Sequence, residues 1–94
     1  MDIAKSMIVQ SAAGRDKGRL FFVLETEGDF LLLADGKTRR VERPKRKKRK
    51  HTVFAMVSDT RVAEKIRNGE KITNSEVRRT LAQLSGAGNP DQEG

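Results

Sequence analysis

The chain contains no cysteine, no tryptophan and no tyrosine, and each absence removes a class of chemistry. Without cysteine there is no disulfide framework and no thiolate metal site, and the composition fits a reducing compartment. Without Tyr or Trp, stacking on nucleobases falls to Phe21, Phe22, Phe30 and Phe54, which all lie in strand-like stretches where a core role is expected. Long apolar runs are also missing. None exceeds the five residues of 30–34, far too short to span a bilayer. Met1-Asp2-Ile3-Ala4-Lys5 lacks a basic region leading into an apolar stretch, so a cytoplasmic location is expected, with no membrane partner. His51 is the only histidine, without a cysteine or paired carboxylate to make a metal site, and contact with phosphate is its expected use. No serine has a further base to draw on, which argues against nucleophilic catalysis. The expectation is a protein that is not an enzyme, with no cofactor and no small-molecule substrate.

Positive charge, by contrast, is abundant and concentrated. Residues 37–50 hold Lys37, Arg39, Arg40, Arg43, Lys45, Arg46, Lys47, Lys48, Arg49 and Lys50 against one acid, Glu42, a local charge of +9. The whole chain carries +7, so everything else amounts to −2: a near-neutral globule with one cationic segment. Such asymmetry implies a polyanionic partner.

At 94 residues the chain fits one small domain with a thin core. Its first part reads as short strands at residues 6–11, 19–25 and 29–34, separated by the turn signals Gly14-Arg15-Asp16-Lys17-Gly18 and Glu27-Gly28-Asp29. Asp35-Gly36 supplies another turn, and residues 39–42 form an expected fourth strand with Val41 as its apolar residue. Pro44 then interrupts, and the six cations of residues 45–50 repel one another, so residues 37–50 are expected as a basic loop. Strand character returns at residues 51–57. Phe21 and Phe22 face opposite ways. Phe22, sharing parity with Leu20 and Leu24, is expected to be exposed or packed beneath the C-terminal helices.

The last third changes period. Val62 and Ile66 mark a helix over residues 60–68, with Asp59 as N-cap and Gly69 as its stop. Thr73 and Glu76 form a capping-box signature ahead of Val77, Leu81 and Leu84, which recur at helical spacing. The expected organisation is a barrel over residues 1–58, a helical extension over 59–85 and a disordered tail over 86–94.

Met7-Ile8-Val9-Gln10, the turn Gly14-Arg15-Asp16-Lys17-Gly18-Arg19, the apolar strand of residues 20–24 and the return strand 30–34 ending in Asp35-Gly36 together resemble the KOW family. These are short barrels of large-subunit ribosomal proteins and transcription elongation factors. The continuation Thr38-Arg39-Arg40-Val41 is similar to archaeal and eukaryotic ribosomal members, and the resemblance covers about half the chain, residues 7–57. It implies a mainly β fold, here an SH3-like five-stranded barrel followed by two short α-helices, that binds RNA through its loops. The implied partners are ribosomal RNA and ribosomal proteins, and the implied setting is the ribosome or translation. The Lys/Arg run and the helical C-terminus depart from the ribosomal members and suit a stand-alone bacterial relative. Phosphate contacts are expected from the ten cations of residues 37–50, with Arg15, Lys17 and Arg19 forming a second edge of the same patch.

Other readings stay open. The run from Pro44 also looks like a nuclear import signal or a solvated loop without a partner. The helical face of Val77, Leu81 and Leu84 would suit a protein-interaction module acting in transcription or translation, and an enzyme's RNA-delivering accessory subunit is a third class.

Overall fold

The structure, a computed structural model, describes residues 2–85. Five antiparallel strands, β1 (Ile8–Ser11), β2 (Leu20–Glu27), β3 (Phe30–Ala34), β4 (Lys45–Lys48) and β5 (Thr52–Met56), form one sheet in the order β4-β3-β2-β1-β5. Helices α1 (Arg61–Asn68) and α2 (Asn74–Ser85) follow. The fold is thus mainly β with two short helices. No described helix is long and apolar enough to cross a membrane.

Strand β4 corrects two expectations. Residues 39–42 form a turn, not a strand, and the cationic Lys45–Lys48 pairs along β3, from Phe30 opposite Lys48 to Leu33 opposite Lys45. The basic segment is therefore a loop only over residues 37–44. Strand alternation overcomes the repulsion that argued against order here: Lys45 and Lys47 lie on one face with Leu33 and Leu31, while Arg46 and Lys48 lie on the other.

The sheet has an apolar layer on each face. Val9, Phe21, Val23, Leu31 and Leu33 are fully buried on the inner face, with Ile3 packed against them. No described helix belongs to this cluster, so the sheet covers it by curling. Connectivity demands the same curvature. A single 3₁₀ turn, Arg49–His51, joins β4 to β5, which stand at opposite edges of the sheet. Four peptide steps from Lys48 to Thr52 reach at most about 14 Å, whereas a flat sheet would set its outer strands about 19 Å apart. The edges approach without pairing, and the sheet remains open.

A bulge in β2 makes the curl compatible with the sequence. The register jumps from Val23 opposite Leu33 to Glu25 opposite Leu32, leaving Leu24 as the extra residue. Uninterrupted alternation would turn Glu25 into the inner core after Phe21 and Val23. With the bulge, Thr26 takes the inner position opposite Leu31, and Glu25 and Glu27 face outward.

The outer face of β1 and β2 is covered by the helices: Ile8 and Phe22 pack with Val62, Ala63, Ile66, Val77 and Leu81, and Leu84 joins the rim. Phe22 is fully buried there. The Val77–Leu81–Leu84 stripe read as a docking surface is thus occupied by the core.

Helix ends follow local chemistry. The Thr73 hydroxyl accepts from the Glu76 N–H at 3.1 Å while the Glu76 carboxylate accepts from the Thr73 N–H at 2.8 Å, the reciprocal capping expected. Thr60, not Asp59, caps α1, because its hydroxyl reaches the Ala63 N–H at 3.3 Å. Gly69 ends that helix in the left-handed region at φ 72°. The tail expected over residues 86–94 lies outside the described residues.

Gly36, at φ 77°, is where the basic loop meets α2, and a Cβ there would collide with the Asn74 carbonyl and approach the Arg78 N–H at 3.0 Å. Gly18, at φ 90°, has open space around it. Gly18→Ala is expected to cost about 1 kcal/mol from backbone strain alone, and Gly36→Ala about 3 kcal/mol or more. Urea unfolding midpoints of the two variants measure the difference.

Candidate functional site

Short connections gather unpaired cations at the two ends of β4. The first is the β1–β2 loop, folded by Gly14 at φ 86° and Gly18 and by bonds from the Lys17 N–H to the Gly14 carbonyl and from the Arg19 N–H to the Asp16 carbonyl. Arg15 and Lys17 stand exposed on it. Asp16 turns inward.

The Asp16 carboxylate accepts from the Ser11 hydroxyl at 2.8 Å, Lys45 Nζ at 3.0 Å and Lys47 Nζ at 3.3 Å. Lys47 Nζ also donates to the Ala13 carbonyl at 2.9 Å, and its side chain is only 8% exposed. Burial pushes the Asp16 carboxyl up, but the donors from Lys45, Ser11 and Lys47 outweigh it and hold the group well below the usual carboxylate range. Two lysines of the basic run are therefore committed to the fold.

The second loop, between β3 and β4, is wound around Asp35. Its carboxylate accepts the Lys37 N–H at 2.9 Å, the Arg39 N–H at 2.8 Å and the Thr38 hydroxyl at 2.7 Å. Burial raises this carboxyl, and the Arg39 N–H, the Thr38 hydroxyl and the Lys37 N–H more than compensate, so it too is lowered. Helix α2 then anchors the loop: the Asn74 side-chain carbonyl accepts the Val41 N–H at 2.8 Å, and Arg78 donates to the Gly36 carbonyl at 3.1 Å. These organisers, Asp35, Asn74 and Arg78, were not singled out from the sequence. Only the Asp35-Gly36 turn signal pointed toward one of them.

Arg19 links the two loops, donating to Thr38 Oγ1 at 3.2 Å and lying 4.0 Å from Asp35. Between them lies a cleft of about 400 Å³ lined by Arg15, Asp16, Arg19, Thr38, Arg39 and Lys45. The side chains of Arg15 and Arg39 have no intramolecular partner among the described residues. Lys37, Arg40 and Arg43 are exposed on the same loop, Arg40 paired with Glu42 at 3.4 Å.

At the other end of β4, the β2–β3 turn meets the 3₁₀ turn. Arg49 is spent on backbone carbonyls, Gly28 at 2.6 Å and Ile3 at 2.8 Å. Arg46 pairs with Glu27 at 3.2 Å and places its guanidinium 3.7 Å from the centre of the Phe30 ring. The side chains of Lys48 and Lys50 are exposed with no intramolecular partner among the described residues. His51 is exposed too, its backbone carbonyl accepting the Ala12 N–H.

The expected site residues thus divide. Arg15, Lys17, Lys37, Arg39, Arg43, Lys48 and Lys50 present side chains free of partners among the described residues, Arg19, Arg40 and Arg46 are exposed but paired, and Lys45, Lys47 and Arg49 hold the fold together. Among the described residues there is no cluster of His, Asp or Glu able to hold a metal ion. No protein-family model matches the chain, and no curated protein shows significant sequence similarity to it.

Asp16→Asn is expected to destabilise the protein by about 3 kcal/mol, since it leaves the Lys47 ammonium buried without its counter-charge. The depressed Asp16 and Asp35 carboxyls stabilise the fold above their unfolded values near pH 4, and this contribution is lost as pH falls through the folded values. Chemical denaturation between pH 6 and pH 2 should show stability falling on acidification in the wild type and falling less in Asp16→Asn.

Proposed function

We propose that this chain is a non-enzymatic RNA-binding protein whose curled sheet is an SH3-like barrel of the KOW kind. The cleft between its β1–β2 and β3–β4 loops grips the phosphate backbone. The observation that carries the reading is the group of cations left without intramolecular partners, Arg15, Lys17, Lys37, Arg39 and Arg43, gathered on two loops that Asp16, Asp35 and α2 hold rigid. Ordered cations that face water cost more to maintain than they return to the fold, and neutralising phosphates with release of counterions supplies the compensation. Arginines predominate in the cleft, and their planar forks suit paired phosphate oxygens. The 3₁₀ link between opposite sheet edges and the inner apolar cluster support the barrel reading.

RNA rather than DNA rests on the likeness of residues 7–57 to KOW barrels, as do ribosomal RNA as the ligand, a role in translation and a cytoplasmic location. The alternative of a protein-docking helical face has less support, because Val77 and Leu81 are buried against the sheet.

If about five phosphates are neutralised, the logarithm of affinity for a structured ribosomal RNA fragment should fall with the logarithm of salt concentration at a slope of about −3 to −4. A flat slope would overturn the electrostatic reading. Arg15→Glu and Arg39→Glu should each weaken binding at least about tenfold without moving the unfolding midpoint, while Lys47→Ala should lower that midpoint.

A further inference from the structure

We infer that the recess beside Phe30, at the end of β4 remote from the cleft, is a subsite for one unpaired nucleotide and selects guanine. The inference rests on the RNA reading above. The recess has a volume of about 500 Å³, within the range of small-ligand pockets, and is lined by Asp29, Phe30, Lys48, Arg49 and Lys50.

Its chemistry is that of a nucleotide taken apart. Phe21 and Phe22 are fully buried, whereas Phe30 is half-buried, on the outer face of β3 that the helices leave uncovered. Arg46 lies over its ring at 3.7 Å, so the aromatic surface already belongs to a stack that a base can extend. Lys48 stands directly opposite Phe30 in the β3–β4 register, and Lys50 follows from the 3₁₀ turn. Both are unpaired among the described residues and can reach the phosphates flanking a base.

Asp29 supplies the selectivity. Among the described residues it is the one carboxylate lining the recess, and no side chain bonds to it, although three cations line the same space. A bare phosphate would be repelled by it. Glu27 is already taken by Arg46 at 3.2 Å, so it does not compete for the ligand. Guanine alone among the bases places two adjacent donors, N1–H and the N2 amine, on its Watson–Crick edge, the pattern that a carboxylate accepts with both oxygens. The wall is formed in advance. Arg49 holds the Gly28 and Ile3 carbonyls through its guanidinium and the Asp29 carbonyl through its backbone N–H at 2.8 Å.

The test is fluorescence anisotropy of the full chain with labelled single-stranded RNA 10-mers of A, C and U that carry one central guanosine, or adenosine or inosine in its place. Guanosine should bind about tenfold tighter than adenosine, with inosine, which lacks the N2 amine, between them. Asp29→Asn should erase that preference and leave adenosine-oligomer affinity unreduced, and Phe30→Leu should weaken binding of both oligomers about tenfold. Equal, salt-dependent affinity of the wild type for the guanosine and adenosine oligomers would overturn the guanine subsite and leave backbone binding standing. Absence of binding to every oligomer and to a structured ribosomal RNA fragment would overturn the RNA reading, and the subsite with it.

Discussion

The Asp16 carboxylate lies in a loop before β2, yet its partners Lys45 and Lys47 stand on β4, two strands away in the sheet order. A curled sheet brings them together, and their pairing in turn makes β4 tolerable as a strand. Alternation sends two of its four cations to the inner face, where an apolar core would reject an unpaired charge. Asp16 meets both, and the Ser11 hydroxyl and Ala13 carbonyl complete the set of partners. The two outward cations, Arg46 and Lys48, meet Glu27, Phe30 and solvent. A stretch that repels itself as a free chain is ordered because each face supplies a different answer to its charge.

The helices have a comparable double role. Their apolar stripe covers Phe22 and Ile8, and the start of α2 clasps the loop that carries Lys37, Arg39, Arg40 and Arg43. Core packing and presentation of the basic loop therefore share one element. Gly36 marks the contact, since only a residue without a Cβ lets the α2 backbone come so near.

Much of this was legible in the sequence. Strands β1, β2, β3 and β5 announced themselves by apolar runs between turn residues, and α2 by its capping box. Strand β4 was hidden, because Lys45-Arg46-Lys47-Lys48 has no apolar period and its counter-charge lies far back in the chain at Asp16. Residues 39–42 carried a weak strand pattern around Val41, overruled by Asp35, whose carboxylate captures two backbone N–H groups of that loop. The cation inventory was correct as composition, but which cations are spent on the fold depends on strand parity and long-range pairing. Phe30 was likewise indistinguishable from Phe21 and Phe22 until the coverage of each face was known.

The position of β4 at the edge of the sheet has one more effect. An exposed edge strand offers unpaired backbone groups to any passing chain, and uncontrolled strand addition is a route to aggregation. Here that edge carries Arg46 and Lys48 exposed on its outer face, so a second copy approaching edge to edge meets like charge there. The charge of this segment thereby keeps copies of the protein apart, and the sheet can stay open without becoming a template for its own polymerisation.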